Sequence, residues 1–490
     1  MGADEESGSL SPRQRRALTR VPSDRVRIIT LAAAGLVVSF MQTIVVPIIP
    51  HLPAYLHTTA ADAQWVLTST LLAGAVSTPI AGRLGDMFGK RRVLLGLLLC
   101  LLVGAIVSAF SNALIPMIVG RVLQGVGIGA IPLGISVLRD IVHPRSLGAA
   151  IALVSATLGV GGAAGLPLAA AVAEACDFHW LFWMAAALAA LVFVAVIAFI
   201  PVSTLRTGGR VDWLGALGLA AGLTGTLLGV SKGSEWGWLS PLTLAVFSGS
   251  AIVFVVWGLY QLRAGDPLID LRTSARRPVL MTNLASIAIG FAFFATTATL
   301  PVVLESPAAS GAGFGLPLLL ASLCLMPLGI VMFLVSPLAG QLSQRHGPRT
   351  SLLVGGLIVT IGYLVATIWF DQLWHVLMLS TIMGLGIGFA YAAMPNLIMR
   401  SVPPTDTGAA NGLNAVMRTV GSSTAAAVVG MILSTQTVVL PGLEVPSRSA
   451  YAWVFAVGAA VSLVGVVLTL LIPRRMVGLE TASIPTLPRS

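Results

Sequence analysis

Two arginines sit where a charge is costly. Arg121 lies in a long apolar run with Gln124 one helical turn on; Arg418 lies in another, on one stripe with Asn411, Asn414 and Ser422. Neither set is a covalent catalyst. Walker A and HExxH patterns are absent, and the histidines have no ligand spacing, so no metal site is expected. A guanidinium beside amides can instead bind a carbonyl, an anion or a polar solute. At the bilayer centre such a charge costs about 2.5–3.5 kcal/mol on insertion scales, which argues for a partner or an aqueous cavity. The competing reading is that each arginine bonds backbone carbonyls and ties helices together.

A second group is charged and compact. Gly82, Gly85 and Gly89 surround Asp86, and Lys90, Arg91 and Arg92 follow. Residues 82–92 read as a short charged hinge between two apolar runs, a latch that opens and closes as bundles rock. The plainer alternative is a basic loop that only sets topology. Two fainter groups are Ser39, Gln42 and Thr43, and Asn283, Ser286, Gly290, Phe294 and Thr297, the latter sharing a helical face. A neutral polar and aromatic lining suits a bulky, partly apolar solute; the alternative is interhelical hydrogen bonds worth about 1 kcal/mol each. Glycines at 125–134 and 159–165 read as close helix contacts first and sliding surfaces second.

The elements that hold these residues are membrane spans. The 490 residues are 56% hydrophobic and 9% charged, with mean hydropathy +0.94; soluble domains carry about 25% charge. Apolar segments near 28–50, 62–82, 92–111, 113–138, 147–172, 180–201, 212–231, 241–261, 278–303, 315–341, 349–370, 373–399, 408–434 and 451–472 are each long enough to cross a bilayer. The net charge of +10 does not indicate nucleic acid, because the bases fall in short loops between these segments. With fourteen spans, 24 of the 28 Lys and Arg lie on one side; Lys232 and Arg448 lie on the other, and Arg121 and Arg418 fall within spans. The positive-inside rule then places both termini in the cytoplasm. No carboxylate falls at mid-membrane: Glu174, Asp212 and Glu305 stand at span ends. Cys100, Cys176 and Cys324 match no redox or metal spacing.

Residues 340–349 echo residues 82–92, keeping paired glycines and bases but with Gln344 in place of Asp86. Two related halves with a midplane site are the usual build of a secondary transporter. The expected organisation is a basic tail at 1–27, a six-helix bundle at 28–201, two inserted spans at 202–277, a second six-helix bundle at 278–472, and a tail at 473–490.

On its motifs the chain resembles the major facilitator superfamily, specifically its fourteen-span drug:proton antiporter branch, over nearly all its length after the tail. Gly82, Leu84, Asp86, Gly89, Lys90 and Arg91 match the family's loop signature, with Met87 in place of an Arg. Arg121, Gln124 and Gly125 match the fourth-span signature. Gln64-Trp65-Val66-Leu67-Thr68, residues 177–183, residues 211–215 and residues 233–238 match branch-typical segments, Thr70 replacing a common Tyr. The resemblance implies that Asp86 and its basic neighbours latch the cytoplasmic side in the outward-open state. It implies that Arg121 takes part in proton coupling, and that the fifth span, with Gly162, Gly165 and Pro167, governs the switch. Two departures stand out. Met41 and Val46 replace the first-span acid and Asn, and the fifth-span signature has a shifted proline at Pro167 with Ala169 and Ala170 for glycines. These weigh against proton coupling and against recognition of cations by a carboxylate.

The expectation is an all-α integral membrane protein of the major facilitator fold: two six-helix bundles plus two extra central helices, fourteen spans in all. It is a monomer in the cell membrane, without cofactor beyond the proton gradient as energy source. It exports drug-like or secondary-metabolite molecules by proton-driven alternating access. The alternatives are a facilitator or importer of a neutral or anionic metabolite without proton antiport, and, from another class, a non-transporting membrane scaffold or sensor.

Overall fold

In lipid every backbone N–H and C=O must be satisfied within its own segment, so long apolar runs become helices. A computed structural model describes residues 23–63, 65–202, 210–440 and 443–473. Both tails lie almost wholly outside that range, as do Gln64 and the side chain of Glu174. Fourteen described helices are long and apolar enough to span a bilayer. They are α1 (Asp24–Thr43), α2 (Trp65–Phe88), α3 (Lys90–Ala109), α4 (Leu114–Ile141), α5 (Pro144–Ala175), α6 (His179–Phe199), α7 (Trp213–Trp236), α8 (Pro241–Arg263), α9 (Arg277–Glu305), α10 (Leu318–Arg345), α11 (Pro348–Ile368), α12 (Leu373–Ser401), α13 (Thr407–Thr435) and α14 (Arg448–Leu470). A hairpin of β1 (Thr437–Leu440) and β2 (Leu443–Pro446) links the last two helices.

Local chemistry explains the punctuation. Prolines open α5, α8, α9 and α11, where a missing N–H is harmless. Ser240 and Ser447 cap α8 and α14 with their side chains. Two expectations need correction. The hinge at 82–92 is not a loop: α2 runs through Gly82, Asp86 and Phe88, and α3 starts at Lys90. Only Gly89 breaks the helix, at φ +99°, a conformation glycine adopts without strain. The charges do not force a loop because Asp86 and Lys90 meet partners, as described below. The first helix begins at Asp24, so Arg25 and Arg27 belong to it and not to the tail; Arg27 donates to the Ile141 carbonyl at 2.8 Å, and Asp24 accepts from His143 N–H at 3.1 Å. After Thr43 the first span continues as a 3-10 helix, Val46–His51, which accommodates Pro47 and Pro50. The fourth span holds a 3-10 turn at Gly127–Gly129.

The helices form two bundles with separate cores. α1–α6 bury Leu31, Leu98, Ile131 and Phe182 together; α9–α14 bury Phe291, Met332, Tyr363 and Phe455. Two seams join them. At one, α2 meets α13, with Gly412 against Pro79 and Thr78; at the other, α5 meets α10, with Gly159 against Met332. The inserted helix α7 lies across the first seam: Ala216, Leu219 and Leu223 share a cluster with Val416 and Met417 of α13 and Val76 and Ile80 of α2. α8 packs on α7, Trp257 and Phe254 resting on Gly218 and Gly222, and shows Ile252, Val255 and Val256 to the lipid.

The echo between 82–92 and 340–349 has a three-dimensional counterpart. Gly347, at φ +86°, separates α10 from α11 as Gly89 separates α2 from α3. Two residues further on, Arg91 donates to the Ile197 carbonyl at 2.6 Å, and Arg349 donates to the Leu470 carbonyl at 2.8 Å. Each arginine thus caps the C-terminal end of the last helix in its own half.

Candidate functional site

The Asp86 end of the molecule is a closed seam built from helix termini. Asp86 is 2% exposed, so its carboxylate requires partners. It accepts from the backbone N–H of Gly408 at 3.1 Å and of Ala409 at 3.0 Å, in the first turn of α13. An anion at a helix N-terminus meets free donors and the positive end of the helix dipole. Lys90 Nζ lies 3.9 Å from the same carboxylate and donates to Asp140 and to Thr407 Oγ1, each at 3.0 Å. Ser136 Oγ donates to the Thr407 carbonyl at 3.0 Å and accepts from Asn411 at 3.2 Å. Gly82 is required here, since a Cβ would run into the Gly408 carbonyl. At the second seam, Gln344 donates to the Arg145 carbonyl at 2.8 Å, in the first turn of α5. Each half therefore reaches across with the residue at the Asp86 position to a helix start in the other half. Arg92 is exposed.

Arg121 is fully buried. Its Nε donates to the Val66 carbonyl at 3.1 Å, and its Nη1 donates to the Met41 carbonyl at 3.1 Å and to Gln124 Oε1 at 2.5 Å. Gln124 donates in turn to Ser108 Oγ at 3.4 Å. One guanidinium thus links α1, α2, α4 and, through Gln124, α3. Its Nη2 is sealed from solvent with no partner among the described residues. The acceptor on α1 is the backbone of Met41.

Arg418 differs. It is partly exposed, donates to Asn414 Oδ1 at 2.7 Å, and lies over the Tyr391 ring at 5.3 Å from its centroid. Asn414 donates to Asn283 at 2.9 Å and to Ser286 at 2.8 Å. Gly290 lets the two helices approach, since a Cβ there would meet the Arg418 backbone. The structure thus gathers Asn283, Asn414 and Arg418; Phe294 is partly exposed on the same helix as Asn283.

The other expected residues are more dispersed. Gln42 is partly exposed on α1. In α5, Gly161 and Gly165 press on Ser39 and Thr43 of α1, while Gly159 faces α10, so this span is held between the halves. Gly162 is less confined: a Cβ there would approach only Thr43, at 3.8 Å. Pro167 sits in an unbroken helix. No group of three or more metal-binding side chains occurs among the described residues. Sequence reasoning did not single out Ser136, Asp140, Thr407 or Tyr391; a Thr-Gly pair at a helix start, ready to meet an acid, was the available signal for Thr407.

The profile of the Major Facilitator Superfamily matches residues 31–426, and again 284–485. The chain belongs to this superfamily. It is therefore a multi-pass membrane transporter. Among curated relatives, it is 25% identical over 412 residues to an uncharacterized MFS-type transporter, YhcA, of Bacillus subtilis, covering 82% of this chain and 76% of that one. It is 29% identical over 430 residues to the tetracenomycin C resistance and export protein of Streptomyces glaucescens, covering 84% and 76%. Among solved structures, the human organic anion transporter MFSD10 has a TM-score of 0.63 at 14% identity, covering 91% of this chain and all of that one. That likeness is one of fold.

Proposed function

We propose that this superfamily member exports a drug-like or secondary-metabolite molecule across the cell membrane by alternating access, as a monomer, with the Asp86 end and both termini in the cytoplasm. The observation that carries the reading is the seam at Asp86. Among the described residues, six hydrogen bonds cross between the bundles at this end, through Asp86, Lys90, Ser136, Arg145, Gln344, Thr407, Gly408, Ala409 and Asn411. Bonds between separable helix ends can be broken and remade as rigid bodies rock, whereas buried cores cannot. The strong bias of bases toward this end supports its cytoplasmic placement. In that orientation the transporter is closed on its cytoplasmic side. Relatives named for export and resistance support an exported, drug-like cargo.

A second reading, transport without proton exchange, is favoured by a specific observation. No carboxylate stands at mid-membrane, and Arg121 is held by carbonyls where the branch has an acid. Dye uptake into inside-out vesicles, with the lumenal pH followed at the same time, separates the two. Loss of lumenal protons on dye uptake supports proton exchange; uptake that leaves the lumenal pH unchanged supports the second reading. Absence of flux for every dye would sink both and favour a scaffold or sensor.

A further inference from the structure

Arg418 is the twelfth residue of α13, about 17 Å from its start at 1.5 Å per residue, and so lies deep in the span. Five N–H groups belong to a guanidinium. Here one side is engaged: Nη1 donates to Asn414, and the cation rests on Tyr391. Nε and Nη2 have no acceptor among the described residues, yet they are not sealed in the core, in contrast to Nη2 of Arg121. Asn414 is itself fixed by Asn283 and Ser286, so its oxygen holds the guanidinium in one direction. The ring below is packed at a tilt near Phe293, with centroids 5.8 Å apart. The result is a rigid, oriented fork with free donors on one side and aromatic surface beneath, and no acid among the described residues to neutralise it.

Resting on the transport reading above, we infer that Arg418, aimed by Asn414 and seated on Tyr391, is the subsite that takes the anionic group of an amphipathic substrate, such as an aromatic carboxylate or phenolate. Free donors in a fork match a carboxylate bidentately. A cationic cargo would meet an uncompensated positive charge instead. The inference also removes the need for a titrating acid. An inside-negative potential drives a monoanion outward, and 100 mV sustains about a 50-fold concentration ratio for one charge.

The test uses two xanthene dyes of similar shape, anionic fluorescein and cationic rhodamine 123, with the purified full-length chain. Equilibrium dialysis should show saturable fluorescein binding and at least tenfold weaker rhodamine binding. Arg418→Gln should weaken fluorescein binding at least tenfold while leaving rhodamine binding unchanged or tighter. Arg418→Lys should recover part of the loss. Asn414→Asp, which places a carboxylate against the intact arginine, should weaken fluorescein binding to a similar degree in a folded protein. Unchanged fluorescein binding in Arg418→Gln, no saturable binding to the wild type, or equal binding of both dyes overturns the inference. So does displacement of the dye by chloride at equal concentration, which would make this an inorganic-anion site. Flux is measured separately in liposomes under a potassium diffusion potential. Arg418-dependent binding without flux would sink the transport reading and leave the subsite standing; flux that ignores Arg418 would do the reverse.

Discussion

At the scale of single residues, the same side chain does different work according to what surrounds it. Asp86 is an acid whose partners are two backbone N–H groups. Asp86→Asn keeps the size but loses the charge and one acceptor lone-pair set. Losing one charge-assisted bond, worth about 1.5–3 kcal/mol, shifts the closed-to-open balance about 10- to 100-fold. Transport measured in vesicles should fall accordingly with membrane insertion intact; wild-type flux would reduce Asp86 to a topology signal. Arg121→Ala removes two carbonyl bonds and the Gln124 bond at once. It should destabilise the protein by about 3 kcal/mol, read as a lower thermal midpoint in detergent. An unchanged midpoint with lost transport would assign Arg121 to coupling instead. The type and spacing of both residues were legible in the sequence, but their partners were not. Gly408 lies 322 residues beyond Asp86, and a backbone carbonyl such as that of Met41 carries no sequence signature, because every residue has one.

At the scale of elements, the helices were legible because apolar length alone determines them. Their ends were not, since an end depends on whether a charge finds a partner on a neighbouring helix. The stretch 82–92 read as a loop and is helical on both sides of Gly89 for that reason. Gly82→Ala tests the seam: the new methyl meets the Gly408 carbonyl and should hold the seam apart. In a background lacking Cys176, Thr407→Cys should then react several-fold faster with a membrane-impermeant maleimide added from the Asp86 side; unchanged labelling would mean the seam absorbs the methyl. The residues around 211–215, matched only as a family-like segment, prove to be a structural knot. Asp212 accepts from Gly215 N–H at 2.7 Å, Tyr260 at 2.9 Å, Gln261 at 2.9 Å and Leu268 N–H at 3.2 Å. It fastens α7 to α8 and to the segment that follows. Asp212→Asn places an amide N–H₂ among donors and should cost about 2–3 kcal/mol, seen as a lower thermal midpoint; no shift would mean the hairpin is held by its apolar packing alone.

At the scale of the whole molecule, fourteen candidate spans, an even number, predict both ends of the chain on one side. Reporter fusions at each terminus should agree on the cytoplasmic side; opposite sides would break the span count. The paired halves were legible from the glycine and arginine echo, whereas the position of α7 over the α2–α13 seam was not, because lipid-facing and seam-facing apolar residues look alike in sequence. That position has a mechanical consequence. A pair of helices fastened to a moving joint, and otherwise bathed in acyl chains, behaves as a paddle: each stroke must sweep it through a viscous medium. Turnover in reconstituted membranes should therefore slow as the bilayer is made thicker or stiffer, and it should recover when cholesterol-free, short-chain lipids lower the drag.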